Sequence, residues 1–258
     1  MVTEDIIVSL RNVSKKYHSL EGETEAVKDL TLEVRRGEFI TIVGPSGCGK
    51  TTLLSLISGL FMPSAGEILL NGETVSGTTG HVGYMLQEDH LFKWRTILRN
   101  VLLGLEIKGT LTAQSKEKAE ALLQKYGLGD FKDHYPHQLS GGMRQRVALI
   151  RTLAIDPDIL LLDEPFAALD YQTRLKVADD IWKIIKKESK TAIMVTHDIA
   201  EAISMSDRVV VLTKRPAQVK SIHKLDFTCE ERTPIKCREA PEFRVYFNRI
   251  WKELDVHV

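Results

Sequence analysis

Phe39-Ile-Thr-Ile-Val-Gly44-Pro-Ser-Gly-Cys-Gly-Lys50-Thr51-Thr52 is the stretch that decides the fold. Phe39 to Val43 is apolar or β-branched throughout and does not alternate, as in a strand buried on both faces. Gly44 to Thr51 then has the spacing G-x-x-x-x-G-K-[ST], placed between that strand and a helix. Its glycines let the backbone wrap so that N–H groups point at phosphate oxygens. The helix that opens there adds the positive end of its dipole. Lys50 is the point charge for the β and γ phosphates, and the Thr51 hydroxyl is a ligand for Mg²⁺. Gly44, Pro45, Ser46, Gly47, Cys48, Gly49, Lys50, Thr51 and Thr52 are therefore candidate binding residues for a nucleoside triphosphate. The Cys48 thiol is expected in the path of the phosphates.

Outward from this loop, the helix continues through Leu60. Strands are predicted at Gly66–Gly72, Val82–Leu86, Ile159–Asp163, Ala192–Thr196 and Val209–Leu212, with those of a small β layer at Ile6–Val8 and Ala26–Val34. Tyr171–Lys187 reads as an amphipathic helix. Ile97 to about Ala154 is helical in pattern, with breaks near Gly109 and between Gly127 and Gly142. Strands alternating with helices imply an α/β fold with a mainly parallel sheet covered on both faces. The expectation is a P-loop NTPase core (1–87 and 156–216), a small antiparallel β layer, an inserted helical subdomain (88–155) and a C-terminal extension with a helix (217–258).

A second signal is Ile159-Leu-Leu-Leu-Asp163-Glu164. A buried strand that ends in two acids is costly unless the acids have a task. Asp163 is the candidate for the Mg²⁺ sphere. Glu164 is the candidate to orient or deprotonate an attacking water.

Leu139-Ser-Gly-Gly-Met-Arg-Gln-Arg146 resembles the signature of ATP-binding-cassette ATPases, usually L-S-G-G-Q, with Met143 in place of the glutamine. Ser140 looks like a helix cap, and Gly141 and Gly142 leave backbone N–H groups open, a second phosphate cradle. The resemblance runs over roughly positions 5–215. It implies ATP and Mg²⁺ as ligands and a head-to-tail dimer, with Ser140 of one copy closing on ATP held by Lys50 of the other. It also implies that Tyr17 stacks on adenine, that Gln87 senses Mg²⁺ and the γ phosphate, that Asp170 belongs to the D-loop, and that His197 contacts the γ phosphate.

Leu91-Phe-Lys-Trp-Arg-Thr-Ile97 and Leu212-Thr-Lys-Arg-Pro216 are similar to the nitrate, sulfonate and taurine importer group, which extends to vitamin precursors. That resemblance implies two membrane permease subunits, docked near Leu91, Phe92 and Trp94, an indirect substrate-binding protein, and a peripheral place on the cytoplasmic face of the membrane. Lys plus Arg and Asp plus Glu are equal at 35 each, which counts against a nucleic-acid partner. A soluble cassette acting on nucleic acid or ribosomes, and an exporter subunit, stand as the alternatives. Cys48, Cys229 and Cys237 lack metal or redox spacing and read as reduced thiols. Met1 to Leu10 has no basic n-region and does not read as a secretory signal. At the other end, Pro241 opens a helix whose stripe of Phe243, Phe247, Ile250, Trp251 and Leu254 is expected to dock on the chain's own core.

Overall fold

A computed structural model describes residues 5–19 and 22–254. The first four residues of the leader reading and the last four of the C-terminal extension lie outside that range. A four-stranded antiparallel sheet contains β1 (Ile6–Ser19), β2 (Gly22–Arg35), β4 (Ala65–Leu70) and β5 (Glu73–Thr74), in the order β2-β1-β4-β5. A six-stranded sheet contains β3 (Phe39–Val43), β6 (Val82–Met85), β7 (Ile159–Asp163), β8 (Thr191–Val195), β9 (Arg208–Leu212) and β10 (Val219–Lys224), in the order β10-β9-β3-β8-β7-β6. Its neighbours are parallel except β10, which runs antiparallel to β9 at the edge.

Every residue of β3, β7 and β8 is buried, which is what continuous apolar runs require. One face of the six-stranded sheet packs with α1 (Lys50–Ile57) against the antiparallel sheet, and Ile40, Ile42 and Leu161 meet Leu10, Leu30 and Leu54 there. The other face carries Phe39, Leu160 and Met194 against Phe166, Ile181 and Ile185, the last two from α5 (Tyr171–Lys187). A separate apolar cluster joins α2 (Ile97–Ile107), α3 (Ala113–Lys125) and α4 (Gly141–Leu153). α6 (Ile199–Met205) follows β8.

β1 and β2 are longer than the sequence suggested. Register shifts between Leu10 and Val13 on β1, opposite Leu32 and Leu30 of β2, break the alternation. Ala26 and Val27 are both buried, although adjacent. A bulge of this kind resets the side-chain phase, so a period of two is visible only in pieces. β10 was not predicted as a strand because its pattern is inverted: His223 is buried and Ile222 exposed. The short α7 (Pro234–Glu239), capped by Thr233, was also not predicted.

The C-terminal helix α8 (Pro241–Leu254) packs on its own chain. Ile250 is wholly buried beside Val209, Val211 and Ile203, with Phe243, Phe247 and Leu254 around it. Trp251 does not join this face: it is half exposed, and Tyr246 takes a place in the cluster instead. Trp251 lies one residue, about 100°, past Ile250 and stacks its ring on Phe247 at 5.9 Å. Glu253 ties the helix to the sheet edge, 3.1 Å from His223. Truncating Ile250→Ala is expected to cost about 2–4 kcal/mol in urea denaturation, while Trp251→Ala costs less than about 1.5 kcal/mol. Equal losses would place Trp251 at the packed face beside Ile250.

Candidate nucleotide site

The loop after β3 is shaped by close contacts. Gly49 has φ 126°, and a Cβ there would lie 2.8 Å from the Ala26 carbonyl oxygen, so no other residue fits without displacing β2. The first N–H groups of α1 have no intrahelical acceptor, and no described side chain caps them. Lys50 curls back over the loop, and its Nζ donates to the carbonyls of Gly44 at 2.8 Å and Pro45 at 3.1 Å. A cavity of about 500 Å³ opens in front of it. Ser46, Gly47, Gly49, Lys50, Thr51 and Thr52 form one wall, and Tyr17, Thr24, Ala26, Glu164 and Arg215 complete the lining.

Tyr17 reaches this cavity from β1. Its hydroxyl donates to Thr52 Oγ1 at 3.3 Å, the Lys15 ammonium lies 5.5 Å from its ring centre, and Phe61 meets it edge-on at 6.0 Å. Cys48 departs from expectation. Its thiol points into the core shared by the two sheets, only 1% exposed. Burial pushes the thiol pKa up. The Cys48 N–H donates to Pro45 O at 3.2 Å. The thiol is thus out of the phosphate path, because the strand it follows turns that position inward.

Asp163 ends β7 beneath the loop. Its carboxylate accepts from Thr51 Oγ1 at 3.4 Å and from the Tyr84 hydroxyl at 3.2 Å. Burial raises its pKa, while these two donors oppose the rise. Tyr84 is held well above the usual phenol range by burial and by the Asp163 charge, so it remains a donor. Glu164 has φ 44°, a left-handed conformation that costs a residue with a side chain roughly 1–2 kcal/mol. Its N–H is anchored on Val195 O at 2.9 Å, and its Oε2 lies 3.1 Å from His197 Nδ1. The backbone around His197 is held in turn: Thr196 Oγ1 donates to Glu201 at 2.8 Å and accepts from the Asp198 N–H at 3.0 Å.

Other sequence candidates stand apart from the cavity. Gln87 is exposed, two residues beyond β6, and does not line it. Ser140 caps α4 by accepting from the Met143 N–H at 3.3 Å. A Cβ on Gly142 would lie 2.6 Å from Val177 Cγ2, so this glycine lets α4 press against α5. Asp170 caps α5 by accepting from the Thr173 N–H at 3.1 Å. Ser140, Gly141, Gly142 and Asp170 do not line the cavity of their own chain.

Leu91 is buried among α2, α3 and α4, so it packs within the chain and is not free for a partner. Phe92 and Trp94 are exposed, the latter 74%, with rings stacked at 4.9 Å. The fully buried Asn100 shapes that turn. It accepts from the Phe92 N–H at 2.7 Å and donates to the carbonyls of Phe92, Arg95 and Thr96. Arg215 is a lining residue that sequence reasoning missed as a site residue. Its only signal was its place in Leu212-Thr-Lys-Arg-Pro216.

Residues 27–167 match the model of the ABC transporter family. This chain belongs to the ABC transporter family. It is an ATPase of that family by its cassette. The uncharacterized ABC transporter ATP-binding protein YtlC of Bacillus subtilis is 47% identical over 95% of the chain and 94% of that protein. The taurine import ATP-binding protein TauB of Roseobacter denitrificans is 39% identical over 85% of the chain and 82% of that protein. Among solved structures, the dimeric post-hydrolysis state of the ATP-binding cassette MJ0796, bound to ADP and Pi, has a TM-score of 0.73. It is 35% identical and covers 85% of this chain and 99% of that one.

Glu201 behind His197 gives a pH prediction. It is buried, and burial, followed by the charge of Asp198, pushes its pKa from 4.5 up to about 6. An acid whose pKa is raised on folding binds its proton more tightly in the folded chain. Its cost therefore appears as pH rises from 4.5 to about 6 and is complete above that. Glu201→Gln is expected to raise stability at pH 8 by about 2 kcal/mol, with the gain shrinking towards pH 4.5. Chemical denaturation at both pH values checks this; a pH-independent difference would contradict it.

Proposed function

We propose that this chain is the ATP-hydrolysing subunit of an importer that carries a small solute, such as nitrate, a sulfonate, taurine or a vitamin precursor, through two membrane permease subunits. A substrate-binding protein delivers the solute to those subunits. The observation that carries this reading is the identity, 39% and 40%, to taurine import ATP-binding proteins over 85% of the chain. No described helix is long and apolar enough to cross a membrane, and the chain sits at the cytoplasmic face through its partners. Phe92 and Trp94 supply the contact: two stacked aromatic rings in water, on a turn already fixed by Asn100, suit an apolar partner helix.

In this reading the cavity at the phosphate loop holds ATP. Tyr17 stacks on the base, and the N–H groups at the start of α1 and the Lys50 ammonium face the phosphates. Lys50 exchanges its two loop carbonyls for phosphate oxygens. The neighbouring oxygens of Thr51 and Asp163 fit a hard divalent cation, and these two residues with Gln87 would hold it. Bound there, Mg²⁺ supplies neutralising charge. Glu164 accepts the proton of the water that attacks the γ phosphorus, the bond to the β–γ bridging oxygen breaks, and ADP and phosphate form. His197, held against Glu164, meets the γ phosphate.

Ser140, Gly141, Gly142 and Asp170 lie away from their own chain's cavity, so they serve a second copy. The two copies pair head to tail around two ATP molecules; the dimeric form of the solved cassettes supports the second copy. Closure on ATP and release after hydrolysis move the helical region and the permease segments docked on it.

Two measurements test this. Glu164→Gln is expected to keep ATP affinity within about three-fold and to lose at least ~100-fold in turnover in the assembled complex, whereas Lys50→Ala weakens ATP binding itself. Near-normal turnover by Glu164→Gln would remove that residue from the mechanism. Trp94→Ala is expected to leave the chain's stability within about 0.5 kcal/mol and its ATP affinity unchanged, while reducing co-purification with multi-span membrane subunits. Co-purification with nucleic acid or ribosomes instead would overturn the importer reading.

A further inference from the structure

We propose that Arg215 is a second nucleotide-binding cation, which contacts the phosphate chain of bound ATP while bracing the loop that holds it. This rests on the reading above that the cavity takes ATP. Arg215 lines the same cavity as Lys50, Thr51 and Thr52, yet comes from the opposite end of the chain, in the turn between β9 and β10. Its Nε and Nη2 both donate to the Gly47 carbonyl, at 3.1 and 2.8 Å. The N–H on the other side of that peptide unit, from Cys48, donates to Pro45 O at 3.2 Å. The peptide plane between Gly47 and Cys48 is therefore tied at both ends, and its carbonyl is turned towards Arg215.

A guanidinium has five N–H donors, and the Gly47 fork uses two of them. Three remain, and among the described residues no carboxylate pairs with Arg215. Among the described residues, most arginines that reach an acid do so closely, as Arg208 does with Glu38 at 2.5 Å and Arg232 with Asp207 at 2.7 Å. A cation that no described carboxylate pairs, beside a phosphate loop, is poised for an anion. Its forked geometry suits phosphate oxygens better than a point charge does.

The turn that carries Arg215 is rigid. Thr213 N–H donates to Gln218 O and Gln218 N–H to Thr213 Oγ1, both at 3.0 Å. Ala217 is stitched to β2 through Ala26 O at 2.9 Å and Lys28 N at 3.1 Å. Ala26 is the same residue whose carbonyl crowds Gly49. The arginine and the loop are thus positioned from one strand, so the fork need not search for its place when the nucleotide arrives.

The test is titration of the full chain with ATP at about 0.1 M and about 1 M salt, between which the screening length falls from ~10 to ~3 Å. Arg215→Ala is expected to raise the ATP Kd roughly ten-fold at the lower salt, and to flatten the salt dependence of log Kd. Arg215→Lys restores the salt dependence but only part of the affinity, because it lacks the fork. The melting temperature without nucleotide stays within ~2 °C for both, as expected for an exposed residue. Wild-type affinity in Arg215→Ala overturns the proposal. So does a loss of affinity with the salt dependence intact, since that is the mark of a brace alone. Failure of the unaltered chain to bind ATP would instead overturn the reading of the cavity.

Discussion

The first turn of α1 begins with backbone N–H groups that the helix cannot satisfy, and among the described residues no side chain caps them. Most of the surroundings follow from that. A fully buried strand must deliver the chain to that point, so β3 sits in the middle of the six-stranded sheet. The turn must be tight enough to pass under β2, so Gly49 adopts a conformation open only to glycine. The positive region so created draws in carbonyls and carboxylates. Lys50 rests on Gly44 and Pro45, while Asp163 waits below on Thr51 and Tyr84.

A cost elsewhere supports this arrangement. Glu164 leaves its strand in a left-handed conformation, where an apolar residue continuing the strand would be unstrained. The bend is held by Val195 and places the carboxylate against His197 rather than in the core. Glu201 is a buried acid whose raised pKa also disfavours folding near neutrality, yet it fixes Thr196 beside His197. The strain at Glu164 and the burial of Glu201 both bear on the surroundings of His197, as where geometry is kept for a task other than stability.

The elements around the cavity were legible because their chemistry is local. The G-x-x-x-x-G-K-T spacing, the apolar runs and the paired acids each carry their signal within a dozen residues. The signature serine could be recognised too, but its separation from the cavity belongs to the three-dimensional arrangement. The rest was hidden for physical reasons. Bulges in β1 and β2 scramble the alternation. β10 buries a histidine and exposes an isoleucine. The inward turn of Cys48 depends on the core beneath it. Arg215 lies on an exposed turn, and only the closure of β9 and β10 on β2 brings it to Gly47.

Asn100 has a consequence of another kind. All four hydrogen bonds of its side chain go to backbone atoms of Phe92, Arg95 and Thr96, never to their side chains. The shape of the turn is therefore independent of what the turn displays. Side chains at 92–94 can be exchanged, one set for another, while the scaffold under them keeps its form; Arg95, paired with Glu106 at 2.7 Å, belongs to that scaffold. On the importer reading proposed above, one engine can in this way be matched to differently shaped sockets by rewriting a handful of surface letters.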